Sequence, residues 1–562
     1  MTAAPLRSRV WVGIVALLAA VLGAIQFYLM RHVIPPPDGL QYFQVADQIQ
    51  RVGYLKALPI HWSPLYPLYV LATRALLPSG GARELTATSA GDAALLVLLC
   101  VVVAVAFASL ARLCWPDDDR PRAAWVAYTG GLALFCAFAL LRVGLRMPDA
   151  MVTSLVVAAL WAWGQAFRRR LDLRWCLAAG LLGGVGYLAR ANLLHWSTVV
   201  AVVACALAPG VSRGRRLGAF GVFVVGMAAF VGPETYVLSS DRGQFIFGET
   251  GKIVFSESYG AAYPNGYPAW PVRASNGDVR IFTDKHVLNL PGFYDPGREF
   301  DDAQVPARFG RLAWAVVRGV NACLFGNWAP SFALMWPLLW ALWPLALFDI
   351  RWQPVGVDPR AILRRRLAWF LMLAGSAGFA MHLLSFCNGY YMPPYVIALC
   401  AGAALLIIDV PQGEAGPRYR ALHVVASGFA LFSVLWTLHY FRMAERRGMD
   451  AVLPDAQVLA ARLSALPVGP DGLRRIATAG DWSDLYGARL SGTQVLADLP
   501  NPETLHDPAR WAAAVRALRA EGIVAVLLPR GTVRGDDPWR WEPITPQWIL
   551  VDIQHEPAVA TP

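Results

Sequence analysis

Charge is scarce in this sequence: Asp, Glu, Lys and Arg make up 15% of 562 residues, and 56% are hydrophobic. Soluble domains carry about a quarter charged residues, so so low a share excludes an ordinary soluble enzyme and points to a membrane. Cysteine is missing where a secreted module would need it. The eight cysteines lie within or beside apolar segments and none follows Cys400, which suggests neither a disulfide framework nor a zinc site. The one glycine-bearing stretch of the tail, GDWSDLYGARLSG, lacks the G-x-G-x-x-G spacing, so no nucleotide site is expected there. Internal repeats and low-complexity tracts are also absent. The net charge of +11 sits on arginines between apolar segments. It reads as membrane orientation, and no nucleic-acid partner is expected.

What the sequence has is long apolar runs, with a mean hydropathy of +0.44. About 11 spans are expected, at 10–30, 88–112, 123–141, 150–168, 174–190, 193–209, 216–234, 331–349, 367–387, 392–409 and 421–440. The first reads as a retained anchor, since no small-residue cleavage site precedes Pro35. Arginines cluster in alternate loops: Arg7 and Arg9, Arg120 and Arg122, Arg168 to Arg170, Arg213 to Arg216, Arg364 to Arg366, and Arg418 with Arg420. The positive-inside rule places these loops in the cytoplasm. Loops 31–87 and 235–330, the turn 142–149 and the tail then face outward. The fold class expected is a polytopic α-helical membrane domain, 1–445, with outer interfacial helices. A small soluble α/β domain, 446–562, follows it. In the first outer loop Leu40, Phe43, Ala46, Ile49 and Val52 recur every third residue, a stripe suited to the membrane interface. In the tail, AQVLAARLSAL and ARWAAAVRALRAEG have helical periodicity, and RIATAG, GTQVLADL, IVAVLLP and WILVDIQ read as strands.

Candidate chemistry gathers on the outer side. Asp38 is the first acid after the first span and follows three prolines; Pro-Asp-Gly also makes a good helix start. Asp149, after Pro148, can cap the next span, and Arg142 and Arg146 stand within seven residues of it. Arginines near a span end snorkel, but their planar fork also suits phosphate oxygens. Arg190 lies between two apolar segments, where a cation needs an anion or water, with His195 nearby. His61 precedes Ser-Pro-Leu-Tyr-Pro, Tyr42 falls on the first outer helix, and Tyr390, Tyr391 and Tyr395 form a belt or a sugar-packing surface. Lys252, Glu249 and Glu257 are polar contacts in the long outer loop.

In their order and shared side these features resemble the GT-C superfamily of integral-membrane glycosyltransferases, in the branch of protein O-mannosyltransferases and aminoarabinose transferases. The matching residues are Asp38, the helix from Tyr42 to Ala46, His61-Trp62-Ser63-Pro64-Leu65-Tyr66-Pro67, Pro148-Asp149, the Gly183–Arg190 segment and Tyr391-Met392-Pro393-Pro394. They cover about residues 1–410. Two departures stand out: Gly39 follows Asp38 where some relatives have a second acid, and Tyr390-Tyr391 replaces Arg-Tyr. The first argues against a bound divalent metal, so no cofactor is expected, and the second removes one phosphate contact.

The resemblance implies an inverting transfer of a sugar from a polyprenyl phosphate, such as undecaprenyl phosphate, to an acceptor hydroxyl on a protein, lipid or glycan. Asp38 would be the base, Arg190, Arg146 and Arg142 the phosphate ligands, and Asp149, His61, Tyr42 and Tyr391 the orienting groups. A bacterial inner membrane with a periplasmic active site fits the composition. A lipid-linked glycan polymerase or ligase is a close rival. A lipid flippase would place polar groups deeper in the spans than these lie.

Overall fold

The computed structural model describes residues 8–35, 37–57, 63–78, 81, 83–168, 170–208, 210–243, 245, 247, 272–275, 278–282, 359–383, 391–408, 415–446, 449–479, 485–499, 502–532 and 541–554. Asp38 lies in its helix with the side chain outside this description. His61, Tyr390, Glu249, Lys252, Glu257 and the apolar stretch 331–349 are outside it altogether.

Ten of the eleven apolar segments coincide with helices. They are α1 (Ser8–Met30), α5 (Arg83–Cys114), α6 (Asp119–Phe135), α7 (Asp149–Arg168), α8 (Leu173–Ala189), α9 (Leu193–Leu207), α10 (Arg213–Arg242), α11 (Pro359–Leu383), α12 (Pro393–Ile408) and α13 (Ala415–Arg446). Among the described residues six helical stretches are long and apolar enough to cross a bilayer, and α8, α9 and α12 are shorter apolar helices. Sequence explains why they sit so close. A Cβ on Gly378 would come within 2.0 Å of the Tyr395 ring, and one on Gly180 within 2.2 Å of the Phe223 carbonyl oxygen. These glycines let α11 meet α12, and α8 meet α10, backbone to side chain or backbone, as small residues do between membrane helices.

Helix α6 does not end plainly. It continues as a π-helix over Cys136–Leu141, and the Arg142 amide closes it on the Ala137 carbonyl at 3.0 Å. Such widening leaves backbone groups to be satisfied from elsewhere. Gln26, buried in α1, does so: its Nε2 donates to the Phe138 carbonyl at 2.8 Å and its Oε1 accepts from the Val143 amide at 3.2 Å. A single 3₁₀ turn, Val143–Leu145, then leads to α7.

Between α1 and α5 lie α2 (Pro37–Val52), α3 (Tyr54–Ala57) and α4 (Leu65–Leu76). The expected stripe on α2 is real, but it faces protein. Leu40, Phe43 and Ala46 are buried in the main core, and Ile49 packs with Val45 and Ala57. The membrane helices and α4 present enough apolar surface to cover it.

The tail holds α14 (Met449–Ser464), α15 (Leu485–Ser491) and α16 (Pro508–Ala520). Its strands are β3 (Arg474–Thr478), β4 (Thr493–Asp498), β5 (Ala525–Pro529), β6 (Glu542–Pro543) and β7 (Trp548–Asp552). β4, β3 and β5 are parallel, with α15 and α16 as crossovers. The sheet does not stop with the tail. β1 (Val272–Ser275) and β2 (Arg280–Phe282), from the segment between α10 and α11, extend it in the order β1-β2-β4-β3-β5-β7-β6. Arg280 pairs with Asp498 at 2.7 and 3.0 Å, and Asp278 takes hydrogen bonds from Thr504 and Arg510. The bonds from Arg510, first, and Thr504 hold the Asp278 carboxyl below its usual range.

Candidate active site

Arg190 terminates α8 and Asp149 opens α7, and the fold closes them into an ion pair of 2.7 Å. The Asp149 side chain is 5% exposed and that of Arg190 18%, so the pair sits at a rim rather than in bulk water. The Arg190 guanidinium lies over the Tyr391 ring, 4.2 Å from its centre. Tyr42 and Tyr395 are within its electrostatic reach as well. Tyr42 is carried by α2, one helical turn after Asp38, and meets Tyr66 of α4 edge-on at 5.0 Å. The structure therefore brings together Arg190, Asp149, Tyr391 and Tyr42 from four separate segments, Tyr42 lying on the helix that bears Asp38.

Two further residues belong to this cluster, and neither is singled out by the sequence. His382, buried near the end of α11, stacks on Tyr391 at 5.6 Å and lies 5.5 Å from Tyr395. Asn192 places its Nδ2 at 3.3 Å from the His382 Nε2. The available signal was a lone histidine in an otherwise apolar run, FAMHLL, which an arginine-centred reading passes over.

The other arginines go elsewhere. Arg146 is 1% exposed and is spent inside the protein rather than facing a donor phosphate. Its guanidinium donates to the carbonyls of Met30, Val33 and Leu85 and to the hydroxyls of Thr88 and Ser89, at 2.7 to 3.3 Å. Its Nε lies 3.7 Å from Asp92, which also accepts from the Tyr66 hydroxyl at 2.8 Å. The sequence could not show this, because the left-handed backbone at Arg146, φ 52°, turns the side chain into the bundle. Arg142, also left-handed in φ, is half-buried, and burial pushes its pKa down to about 10. It lines a cavity of about 20 Å³ with Asp92, Arg146 and Asp149, room for about one water. His195 is exposed, away from this cluster's buried groups.

Among the described residues no group of three or more His, Cys, Asp or Glu could hold a metal ion. The chemistry on offer is a rim-level cation backed by a carboxylate, an aromatic floor, and an imidazole beside both. Such a set suits an anion with a sugar-sized neighbour.

The whole architecture matches solved structures. The enzyme ArnT from Cupriavidus metallidurans, solved bound to undecaprenyl phosphate, superposes with a TM-score of 0.56 at 14% identity, covering 96% of this chain and 98% of that one. Its apo form gives 0.52 at 15% identity over the same shares. The chain has a GT-C fold. No protein-family model and no curated protein sequence matches it. At such identity the likeness establishes the GT-C architecture and leaves the reaction to the residues. In that GT-C frame, Arg190, Asp149 and Tyr391 gather next to α2, whereas Arg146 and Asp92 tie the segment after α1 and α4 to the bundle.

Proposed function

We propose that the protein is an inverting glycosyltransferase that takes a sugar from a polyprenyl-phosphate donor and gives it to an acceptor hydroxyl at the outer face of the membrane. The observation that carries this reading is the Asp149–Arg190 pair at 2.7 Å, set on the Tyr391 ring and within electrostatic reach of Tyr42, a residue one helical turn after Asp38, within a GT-C fold. A polyprenyl chain resides in the bilayer while its phosphate sits at the rim, where this pair lies. The ArnT neighbour was solved with such a lipid, which supports the choice of donor.

The steps follow from charge. Asp38 accepts the proton as the acceptor O–H breaks, and that oxygen bonds the anomeric carbon from the face opposite the phosphate. The bond from the anomeric carbon to the phosphate oxygen breaks, and the phosphate keeps the electron pair. Charge therefore develops on the phosphate, and Arg190 is the group placed to meet it. Asp149 fixes the guanidinium and leaves one edge of its fork for the ligand. It also cancels most of the resting charge, so Arg190 gains from phosphate mainly as negative charge grows. His382, held at Asn192, supplies a second donor on the same side. No metal enters these steps. The composition and the arginine-rich alternate loops support a bacterial inner membrane with a periplasm-facing site as the setting.

The test is transfer of labelled sugar from polyprenyl-phosphate donors to a panel of acceptors by purified protein in lipid vesicles, with Asp38→Asn beside wild type. Transfer by wild type and a loss of at least about a thousandfold in a folded Asp38→Asn protein are expected. Transfer that survives the substitution removes Asp38 from the reaction.

A further inference from the structure

Helix α15 of the tail reaches the membrane domain through the buried Tyr486, within electrostatic reach of Glu84, Arg146 and Arg74, and through the ion pairs of Arg489. Arg489, on the short helix α15, stands between Asp47 of α2 and Glu84 of α5 with its side chain 9% exposed. Its Nε and Nη2 donate to the two Glu84 oxygens at 3.2 and 3.0 Å, and Nη2 also donates to Asp47 at 3.0 Å. Nη1 completes a second fork on Asp47. Arg74 of α4 pairs with the same two carboxylates, at 2.7 Å to Asp47. Both guanidiniums stand over the ring of Phe43, at 5.5 and 5.6 Å. The result is a two-by-two lattice of fixed charge. Burial alone would raise the Asp47 pKa, but Arg489 and Arg74 outweigh it and hold the carboxyl below its usual range.

Four elements meet in this lattice, and only α15 comes from the tail. Beside it lies a cavity of about 450 Å³ lined by Asp47, Gln50, Leu71, Arg74, Glu84 and Arg489. That space lets α2 move once the lattice loosens. Taking Arg489 away leaves two carboxylates facing one guanidinium, a net charge of −1 in a largely buried place. The repulsion acts on Asp47, and Asp47 is on the helix that carries Asp38 and Tyr42.

We infer that Arg489 is a positioning residue: the tail sets the placement of α2, and with it the reacting end of that helix, through this guanidinium. The inference rests on the glycosyl-transfer reading for its catalytic half, while its mechanical half stands alone. A displacement of about 1 Å in a reacting group costs about a hundredfold in rate. Loss of Arg489 is therefore expected to lower kcat by ten- to a hundredfold and to leave the donor KM within about twofold.

Hydrogen exchange and transfer kinetics on the full chain in lipid test it, using Arg489→Ala and Arg489→Lys. Gel filtration selects the monodisperse protein for both. In Arg489→Ala the amides of Tyr42–Val52 are expected to exchange at least about tenfold faster, with kcat reduced and KM kept. Lysine restores charge without the double fork, so Arg489→Lys should recover part of both. Unchanged exchange over α2 overturns the inference, as does faster exchange with an unchanged kcat. A wild-type protein that transfers no sugar overturns the glycosyl-transfer reading instead, and exchange alone then decides whether Arg489 holds α2.

Discussion

Replacing Arg146 by methionine separates a structural arginine from a substrate ligand. Of the groups that Arg146 serves, most keep another partner. The Met30 carbonyl still accepts from the Ser89 hydroxyl and the Val33 amide, and the Leu85 carbonyl from Thr88. The Thr88 hydroxyl still donates to Glu84. What is lost is the cation beside Asp92, and a hydrogen bond to the Val33 carbonyl. Removing one partner of a buried ion pair costs about 3–5 kcal/mol, and an orphaned buried carbonyl about 1–3 kcal/mol. The single variant should lose about 4–8 kcal/mol on those figures. Asp92→Asn in the same chain removes the stranded charge and should return about 2–3 kcal/mol, a coupling within the usual range for residues in contact. Unfolding in mixed micelles gives the stability, and Michaelis analysis gives the donor KM. An Arg146→Met protein as stable as wild type, with a raised donor KM, would refute the reasoning and return Arg146 to the phosphate.

At the rim pair the expectation is asymmetric. Arg190→Ala should cut kcat by about a hundred- to a thousandfold, as loss of a donor to developing negative charge does. Asp149→Asn, which keeps the length of the side chain, should cost about ten- to a hundredfold, and steady-state kinetics at saturating acceptor distinguishes the two. Acid should release the tail late. Because the folded Asp47 pKa lies below the unfolded value, its contribution is present above about pH 4 and is lost only as pH falls through the lowered folded value. Protection of α2 amides should hold level from pH 8 to about pH 5 and fall below about pH 4; Asp47→Asn, which removes that proton site and keeps Glu84 in the lattice, should make the fall smaller.

Periodicity exposed the frame because each apolar run has to bury or face lipid wherever it ends up. The strands of the tail were legible for the same reason: IVAVLLP and WILVDIQ have no other stable place than a sheet centre, and both became strands. Asp149, Arg190 and Tyr391 were legible as polar groups at span ends and Tyr42 as part of the helix after the first span, and the fold puts them together. Long-range electrostatics was not legible. Arg489 meets Glu84 across 405 positions and Asp47 across 442, and no local pattern marks an arginine in a seven-residue helix for that role. Gln26 and His382 were missed because one polar residue in an apolar run does not alter its period. Their task, to brace a π-turn and to flank an aromatic floor, exists only once the neighbouring helices are in place.

The pairing of β2 with β4 also counts membrane crossings. Strands can hydrogen-bond only if they lie on one side of the bilayer, so the chain between Phe282 and Thr493 must cross it an even number of times. Three helices in that interval, α11, α12 and α13, coincide with apolar segments, and three is odd. Either one of them turns back, or 283–358 contains a fourth crossing, for which the apolar stretch 331–349 is the available sequence. Reporter fusions placed just before and just after 331–349 would settle the parity: opposite sides require the stretch to cross, and the same side requires α11, α12 or α13 to be re-entrant.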